Sequence, residues 1–266
     1  MNTTAMIPGM TLQDSHSIGN HIHKQKTLTA TVRGLATVSQ RPYQVFLGSP
    51  QATTLHIHDD DLAGAAVAQV ESAVRLYVHS PYIINLCHEP GKNNDYGVMC
   101  LIKNLQYAVA TGLRGVVVHV GKSTGMPIDT AMTHMRTNLL KAMEHATPDC
   151  PLLLETPAGQ GTEMLTTYES FIDLVRSINS PNLRICVDTC HVFAAGIQPL
   201  DYIQKLHTTD PTLLKLVHFN DSSTPCGSRK DRHAYIGTGH IGFPIMKEIA
   251  DYCKSASIPK IGRAHV

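Results

Sequence analysis

Ile185-Cys186-Val187-Asp188-Thr189-Cys190-His191 joins an apolar run to a carboxylate and, three residues further on, to an imidazole. Residues 185–187 have the composition of a strand buried on both faces, and Asp188 stands at the end of that strand. Four other short runs end in the same way: Leu76-Tyr77-Val78-His79, Val116-Val117-Val118-His119, Leu152-Leu153-Leu154-Glu155 and Leu214-Lys215-Leu216-Val217-His218. The five terminal residues follow one another at spacings of 40, 36, 33 and 30, each long enough for one strand, a crossover helix and the next strand.

Working outward, residues 18–23 and 43–47 read as two earlier strands. Amphipathic helices lie between strands, seen as apolar residues at i, i+3, i+4 and i+7. One stripe is Met99, Ile102, Leu105, Ala108 and Val109, stopped by Gly112. A second is Met132, Met135, Leu139 and Met143, and a third Leu165, Tyr168, Phe171, Ile172 and Val175. Asp59-Asp60-Asp61 before Leu62 reads as an N-cap cluster. About seven strand–helix repeats in 266 residues, with no linker or repeated sequence, predict an α/β fold, a (β/α)8 TIM barrel of one large domain. A doubly wound open sheet is the alternative. The strand ends decide for the barrel, because parallel strands there bring their last residues to one rim, where the active sites of this fold lie.

Composition narrows the chemistry. Lys+Arg 22 against Asp+Glu 21 gives a net charge of +1, so no overall positive field supplies affinity for nucleic acid. The chain has 16 His and no Trp. Its apolar runs are strand-sized, short of the ~20 residues of a membrane span, and residues 1–17 are polar where a secretory signal needs an apolar core. The seven cysteines are scattered without a C-x-x-C pair, which fits reduced thiols in a cytoplasmic or nuclear compartment. Residues 1–17 read as a polar extension preceding the barrel domain, residues 18–259.

Five ligand types converging on one rim are joined by His191 and by Asp231-Arg232-His233, whose carboxylate and imidazole fall on one side of an extended segment. Imidazole and carboxylate without thiolate is the donor chemistry of catalytic zinc, manganese or iron. Eight donors exceed one tetrahedral site and imply two or three ions. Ions a few ångströms apart suit hydrolysis of a phosphodiester, and their charge reconciles a nearly neutral protein with a polyanionic substrate.

At this point the chain resembles the endonuclease IV family of zinc-dependent abasic-site DNA endonucleases, especially its viral-type members. The motifs are His79-Ser80-Pro81-Tyr82-Ile83-Ile84-Asn85-Leu86, Val118-His119-Val120-Gly121 and Leu154-Glu155-Thr156-Pro157-Ala158-Gly159-Gln160-Gly161. They continue with Val187-Asp188-Thr189-Cys190-His191, His218-Phe219-Asn220-Asp221, Gly227-Ser228-Arg229-Lys230-Asp231-Arg232-His233 and Gly237-Thr238-Gly239-His240-Ile241-Gly242. The resemblance implies three zinc ions, with manganese an option at one site. His79, His119 and Glu155 hold the first; Glu155, bridging, with Asp188 and His218 the second; His191, Asp231 and His233 the third. It also implies incision 5′ of the abasic sugar in double-stranded DNA, leaving a 3′-hydroxyl and a 5′-deoxyribose phosphate, by a monomer acting in base excision repair. Tyr82 and Arg232 are the DNA-binding residues that it suggests, with Lys122, Arg229 and Lys230 as further candidates for phosphate contacts.

The chain departs from the family in three places. The family's DNA-inserting arginine is not found in Gly48-Ser49-Pro50-Gln51-Ala52, and Thr238 replaces a commonly acidic residue. The third departure is Arg263, where the family has a glutamate ligand of the second zinc. Residues 260–266, Lys-Ile-Gly-Arg-Ala-His-Val, can be encoded by AAG ATC GGA AGA GCA CAC GTC, which resembles a common sequencing-library adapter read in frame. They therefore read as a non-native tail. The barrel is expected to lack most of its eighth strand and its last helix, leaving a gap between neighbours. Two rival functions are a metal-dependent sugar isomerase or epimerase on the same barrel, and a non-catalytic abasic-DNA binding protein. His21 and His23 read as structural; His56, His58, His134, His145 and His207 as solvated; His240 as a residue beside the site; and Cys190 as packing rather than a ligand.

Overall fold

The computed structural model describes residues 18–38, 41–91 and 95–262. Its first half alternates β1 (Ile18–His21), α1 (Leu28–Ala36), β2 (Tyr43–Val45), α2 (Asp59–Ser72), β3 (Leu76–His79), α3 (Tyr96–Ala110) and β4 (Val116–His119). Then come α4 (Ile128–Met143), β5 (Leu152–Glu155), α5 (Tyr168–Ile178), β6 (Leu183–Asp188), α6 (Thr189–Ala194), α7 (Pro199–Thr209) and β7 (Leu214–His218). A short hairpin, β8 (Asp221–Ser222) and β9 (His233–Ala234), precedes α8 (Gly242–Ser255) and β10 (Lys260–Gly262). Eight parallel strands close into a barrel in the order β1-β10-β7-β6-β5-β4-β3-β2. This is the (β/α)8 TIM barrel that the sequence predicts.

The predicted gap is absent. Lys260 pairs with Ile18 on one side and Val217 on the other, and Ile261 with Gly19 and His218. Backbone bonds from Val217 N to the Pro259 carbonyl and from Phe219 N to the Ile261 carbonyl, both 2.9 Å, complete the closure. Closure draws on peptide groups, which every residue but proline carries in full, so three residues suffice here as they do in β2. Lys260 is 2% exposed, and Ile261 faces the barrel interior.

Period two along the strands separates two kinds of residue. Tyr77, Val117, Leu153, Cys186, Leu216 and Ile261 form a small apolar layer inside the barrel. Outward residues such as Leu76, Val78, Val116, Val118, Leu152 and Leu154 join the larger core beneath the helices. Two positions beyond an inward residue, the side chain points inward again, and there stand His79, His119, Glu155, Asp188 and His218.

The acidic triplet works differently from the N-cap cluster that its sequence suggests. His58 is the N-cap of α2 and makes no side-chain cap bond, while Asp59, Asp60 and Asp61 occupy the first turn. Asp61 instead accepts from the backbone N–H groups of Leu28 and Thr29 at 2.8 and 2.9 Å, closing the N-terminus of α1, whose own cap is Thr27. The third stripe begins one turn later than read: Thr167 caps α5, and Leu165 packs before it. No helix among the described residues is long and apolar enough to cross a membrane.

Candidate metal centre

Glu155, 2% exposed, ends β5 at the middle of the ligand-bearing arc, and its two carboxylate oxygens face different partners. Oε2 lies 3.2 Å from His79 Nε2 and 3.0 Å from His119 Nε2. Oε1 lies 2.7 Å from His218 Nδ1. Asp188, on the next strand, brings Oδ2 to 3.7 Å from the same His218 nitrogen.

The spacing from Asp188 to His191 is a helix-capping spacing. Asp188 is the N-cap of α6, and its Oδ1 accepts from His191 N at 3.1 Å, so one residue both ends the strand and starts the turn that aims His191 into the centre. His191 Nε2 is 3.2 Å from Asp231 Oδ2, and Asp231 Oδ1 is 3.0 Å from His233 Nε2. His233 arrives on β9, whose partner β8 follows directly after the β7 end. Asp221 pins that hairpin: its buried carboxylate accepts from the N–H groups of Gly237, Gly239 and Ile241 at 2.9–3.0 Å. A Cβ at Gly239 would lie 2.6 Å from Asp221 Oδ1, so that position admits only glycine.

Neighbours fix which nitrogen each ring presents. His79 Nδ1 donates to the Ser80 carbonyl at 2.7 Å and His191 Nδ1 to the Thr156 carbonyl at 2.8 Å, which leaves Nε2 of each toward the carboxylates. Asn220 donates to Asp188 Oδ2 at 2.7 Å. Such outer partners orient metal ligands and hold their tautomers.

The electrostatics are those of a packed donor set. Burial pushes His79 down to about 4, against the opposing pull of Glu155, so its ring is neutral at pH 7. Burial alone would raise the Glu155 carboxyl, but His218 and His119 outweigh it and hold the group well below the usual range. Burial likewise opposes the His191 cation, yet Asp188 and Asp231 raise it well above an ordinary imidazole.

These donors fit divalent transition metals. His79, His119 and Glu155 offer atoms within 4.8 Å of one another, as do His191, Asp231 and His233, and also Glu155, Asp188 and His191. All are nitrogen or carboxylate oxygen. Cys190 comes within the same reach of Asp188 and His233. Burial, reinforced by Asp188 and Asp231, pushes its thiol up, which agrees with a packing role.

The donors line an open pocket of about 220 Å³. Tyr82, 37% exposed, stands at its mouth, stacked on His119 at 5.7 Å between ring centroids and edge-on to Phe46 at 5.1 Å. Lys122 also lines the pocket. Arg232 does not: it is exposed, and its guanidinium donates to the carbonyl of Asp231 at 2.6 Å. Arg229, Lys230 and His240 are exposed and also outside the lining. Arg263 lies beyond the described residues, as does the 1–17 extension. His134 and His207 are not simply solvated: each is half-buried, bonded to the Cys87 carbonyl and to the Tyr252 hydroxyl respectively.

Gln160, read in the sequence only as part of a motif, and Gln44 and Glu163 line the pocket without a role in the sequence reading. Gln160 accepts from Asp231 N at 3.1 Å, and Gln44, on β2, lies between His218 and His21. The signal for Gln44 is an amide at an inward position of the otherwise apolar run 43–47.

A family model described as xylose isomerase-like TIM barrel matches residues 43–252. A protein of Mesomycoplasma hyopneumoniae (strain 7448) named probable endonuclease 4 is 32% identical over 257 residues, 92% of this chain and 91% of its own length. Among solved structures, endonuclease IV from Thermus thermophilus is similar at a TM-score of 0.79 and 24% identity, covering 94% of this chain and 93% of that one. A D-tagatose 3-epimerase-like protein reaches 0.69 at 19% identity over 92% and 89%, so the barrel by itself does not separate nuclease from sugar enzyme. Sequence identity over nearly the full length does: the chain belongs to the endonuclease IV family, within the xylose isomerase-like TIM barrels.

Proposed function

We propose that this protein is a DNA repair endonuclease that hydrolyses the phosphodiester bond 5′ of an abasic site in duplex DNA, leaving a 3′-hydroxyl and a 5′-deoxyribose phosphate. The observation that carries the reading is Glu155, whose two oxygens are divided between the His79/His119 pair and His218, an arrangement that would let one carboxylate serve two metal sites. His79 and His119 would complete a first zinc site, Asp188 and His218 a second, and His191, Asp231 and His233 a third, with manganese an option at one. Bound ions supply Lewis-acid charge to the phosphoryl oxygens and lower the pKa of a coordinated water.

The remaining steps belong to the chain's own groups. The strand-end carboxylates and imidazoles hold the donors fixed before substrate arrives, so little reorganisation is needed during reaction. An abasic nucleotide has no base to unpair or unstack, so turning it out of the helix costs little. Tyr82 at the pocket mouth offers an aromatic face to the neighbouring stack. A sugar isomerase of this fold relies mainly on carboxylates; the separate His191, Asp231 and His233 group supports the nuclease reading.

The test is incision of a duplex carrying a single abasic site, with and without chelator. Chelator-sensitive cleavage 5′ of the lesion is expected. Retention of the duplex without incision would favour the non-catalytic binding protein, and turnover of a ketose or aldose would favour the sugar enzyme.

A further inference from the structure

Gln44 is 3% exposed and sits on β2, in register with His21 of β1. Its amide joins two imidazoles. Oε1 lies 2.9 Å from His218 Nε2, and Nε2 lies 3.0 Å from His21 Nδ1. A carboxamide oxygen only accepts hydrogen bonds, so the proton of a neutral His218 ring stands on Nε2. In a metal-bound state that tautomer would put the lone pair on Nδ1, the nitrogen that faces Glu155 Oε1 at 2.7 Å and Asp188 Oδ2 at 3.7 Å.

His218 therefore differs from His79 and His191. Those two rings are oriented by backbone carbonyls through Nδ1 and present Nε2. His218 presents Nδ1, and a side-chain amide orients it. A carboxamide has two faces: turned over, its NH2 would donate to His218 Nε2, move the ring proton to Nδ1 and close the nitrogen that faces the carboxylates. His21 opposes this when its own ring proton is on Nε2, because its Nδ1, 3.0 Å away, then accepts from the NH2 group; the ring is packed on Phe46 at 4.6 Å between centroids.

We propose that Gln44 is a positioning residue that holds His218 in its Nδ1-ligating tautomer, with His21 fixing the orientation of the amide. The inference rests on the proposed metal-binding reading of the Glu155, Asp188 and His218 donors. It assigns work to β2 and β1, which bring none of the eight proposed ligands.

The test compares wild type, Gln44→Leu, Gln44→Glu and His21→Phe for zinc affinity under a competing chelator, for the His218 tautomer by long-range nitrogen–proton correlation in the zinc-loaded protein, and for thermal melting. Gln44→Leu is expected to weaken one zinc site by about 10- to 100-fold and to lose the Nε2–H signature of His218. Gln44→Glu retains an acceptor oxygen and is expected to restore both. Wild-type zinc affinity together with an unchanged tautomer in Gln44→Leu overturns the proposal. If that variant melts below the assay temperature, His21→Phe decides: a measurable loss of zinc affinity, smaller than that from losing the amide itself, supports the role of the amide, and an unchanged affinity overturns it. A wild-type protein that binds no zinc and incises nothing refutes the proposed function instead, a result distinguishable from a Gln44 variant that matches an active wild type.

Discussion

Five neighbouring strands, β3 to β7, and the remaining three, β10, β1 and β2, close one barrel with the same outward pattern and a different inner rim. The first arc ends in His79, His119, Glu155, Asp188 and His218. The second brings His21, Gln44 and Ile261 to the pocket, and the first two touch ligand-type residues or each other through hydrogen bonds. Outward side chains bury against helices and specify the fold, whereas the last inward residue is free to carry chemistry. Alternation puts these two tasks on opposite faces of one strand, and so the two arcs are equally good walls and unequal sources of ligands.

The largest effect expected from breaking this contrast is at Glu155. Glu155→Gln keeps the shape and removes the charge shared by both imidazole groups. A loss of several kcal/mol of transition-state stabilisation, about 10³-fold or more in single-turnover incision, is expected, together with reduced zinc content. A variant that incised at the wild-type rate would remove Glu155 from the centre of the site. One layer lower, Leu153 is fully buried in the inner apolar cluster. Leu153→Ala is expected to cost about 2–5 kcal/mol in urea unfolding while the zinc affinity of the folded protein stays as it is. Equal losses of stability and affinity would show that the two layers act as one.

A smaller effect is expected from the ligand-poor arc. β10 closes the barrel through its backbone, yet the family resemblance expects a glutamate where this chain has Arg263. Arg263→Glu is expected to improve zinc retention about tenfold or more, at least as much as an outer-sphere partner contributes, and to raise the incision rate. No gain in zinc content by mass spectrometry would mean that this arc needs no further donor. Sequencing the locus past Pro259 is the companion measurement. A genomic match to residues 261–266 followed by a stop codon would end the reading of 260–266 as foreign sequence.

What the sequence discloses follows the same division. An apolar run ending in a ligand type is visible locally, and five such runs at strand-unit spacing reveal both the barrel and most of the centre. The pairing of His191 with Asp188 is visible too, because a helix N-cap and its third residue are close in sequence. Gln44 is not, since its meaning depends on His218, 174 residues away. Asp221 lies within a recognisable motif, but its task depends on N–H groups 16 to 20 residues further along. The closure by β10 is hidden for the opposite reason: its side chains look wrong for a barrel strand, whereas the bonds that close the barrel are hydrogen bonds between peptide groups.

Lys122 yields the smallest effect and sharpens the contrast from the substrate's side. Among the described residues that line the pocket it is the one Lys or Arg, and it follows β4, on the ligand-rich arc. Asn85 clamps its backbone on both sides, accepting from Lys122 N at 2.7 Å and donating to the Lys122 carbonyl at 2.9 Å. The ammonium reaches 3.7 Å from Glu163 Oε1 and stays 46% exposed, so this long contact is screened by solvent and leaves the charge available. A lysine with a fixed backbone and an exposed end suits one phosphate. Lys122→Ala is expected to lower the slope of log affinity against log salt by about 1 and to leave kcat at saturating DNA unchanged. Arg232, exposed and bonded to its own chain, is expected to change that slope less. A slope that is the same in wild type and Lys122→Ala would move the phosphate contact away from the ligand-rich arc, and an equal drop in Arg232→Ala would place it on the β9 side of the mouth.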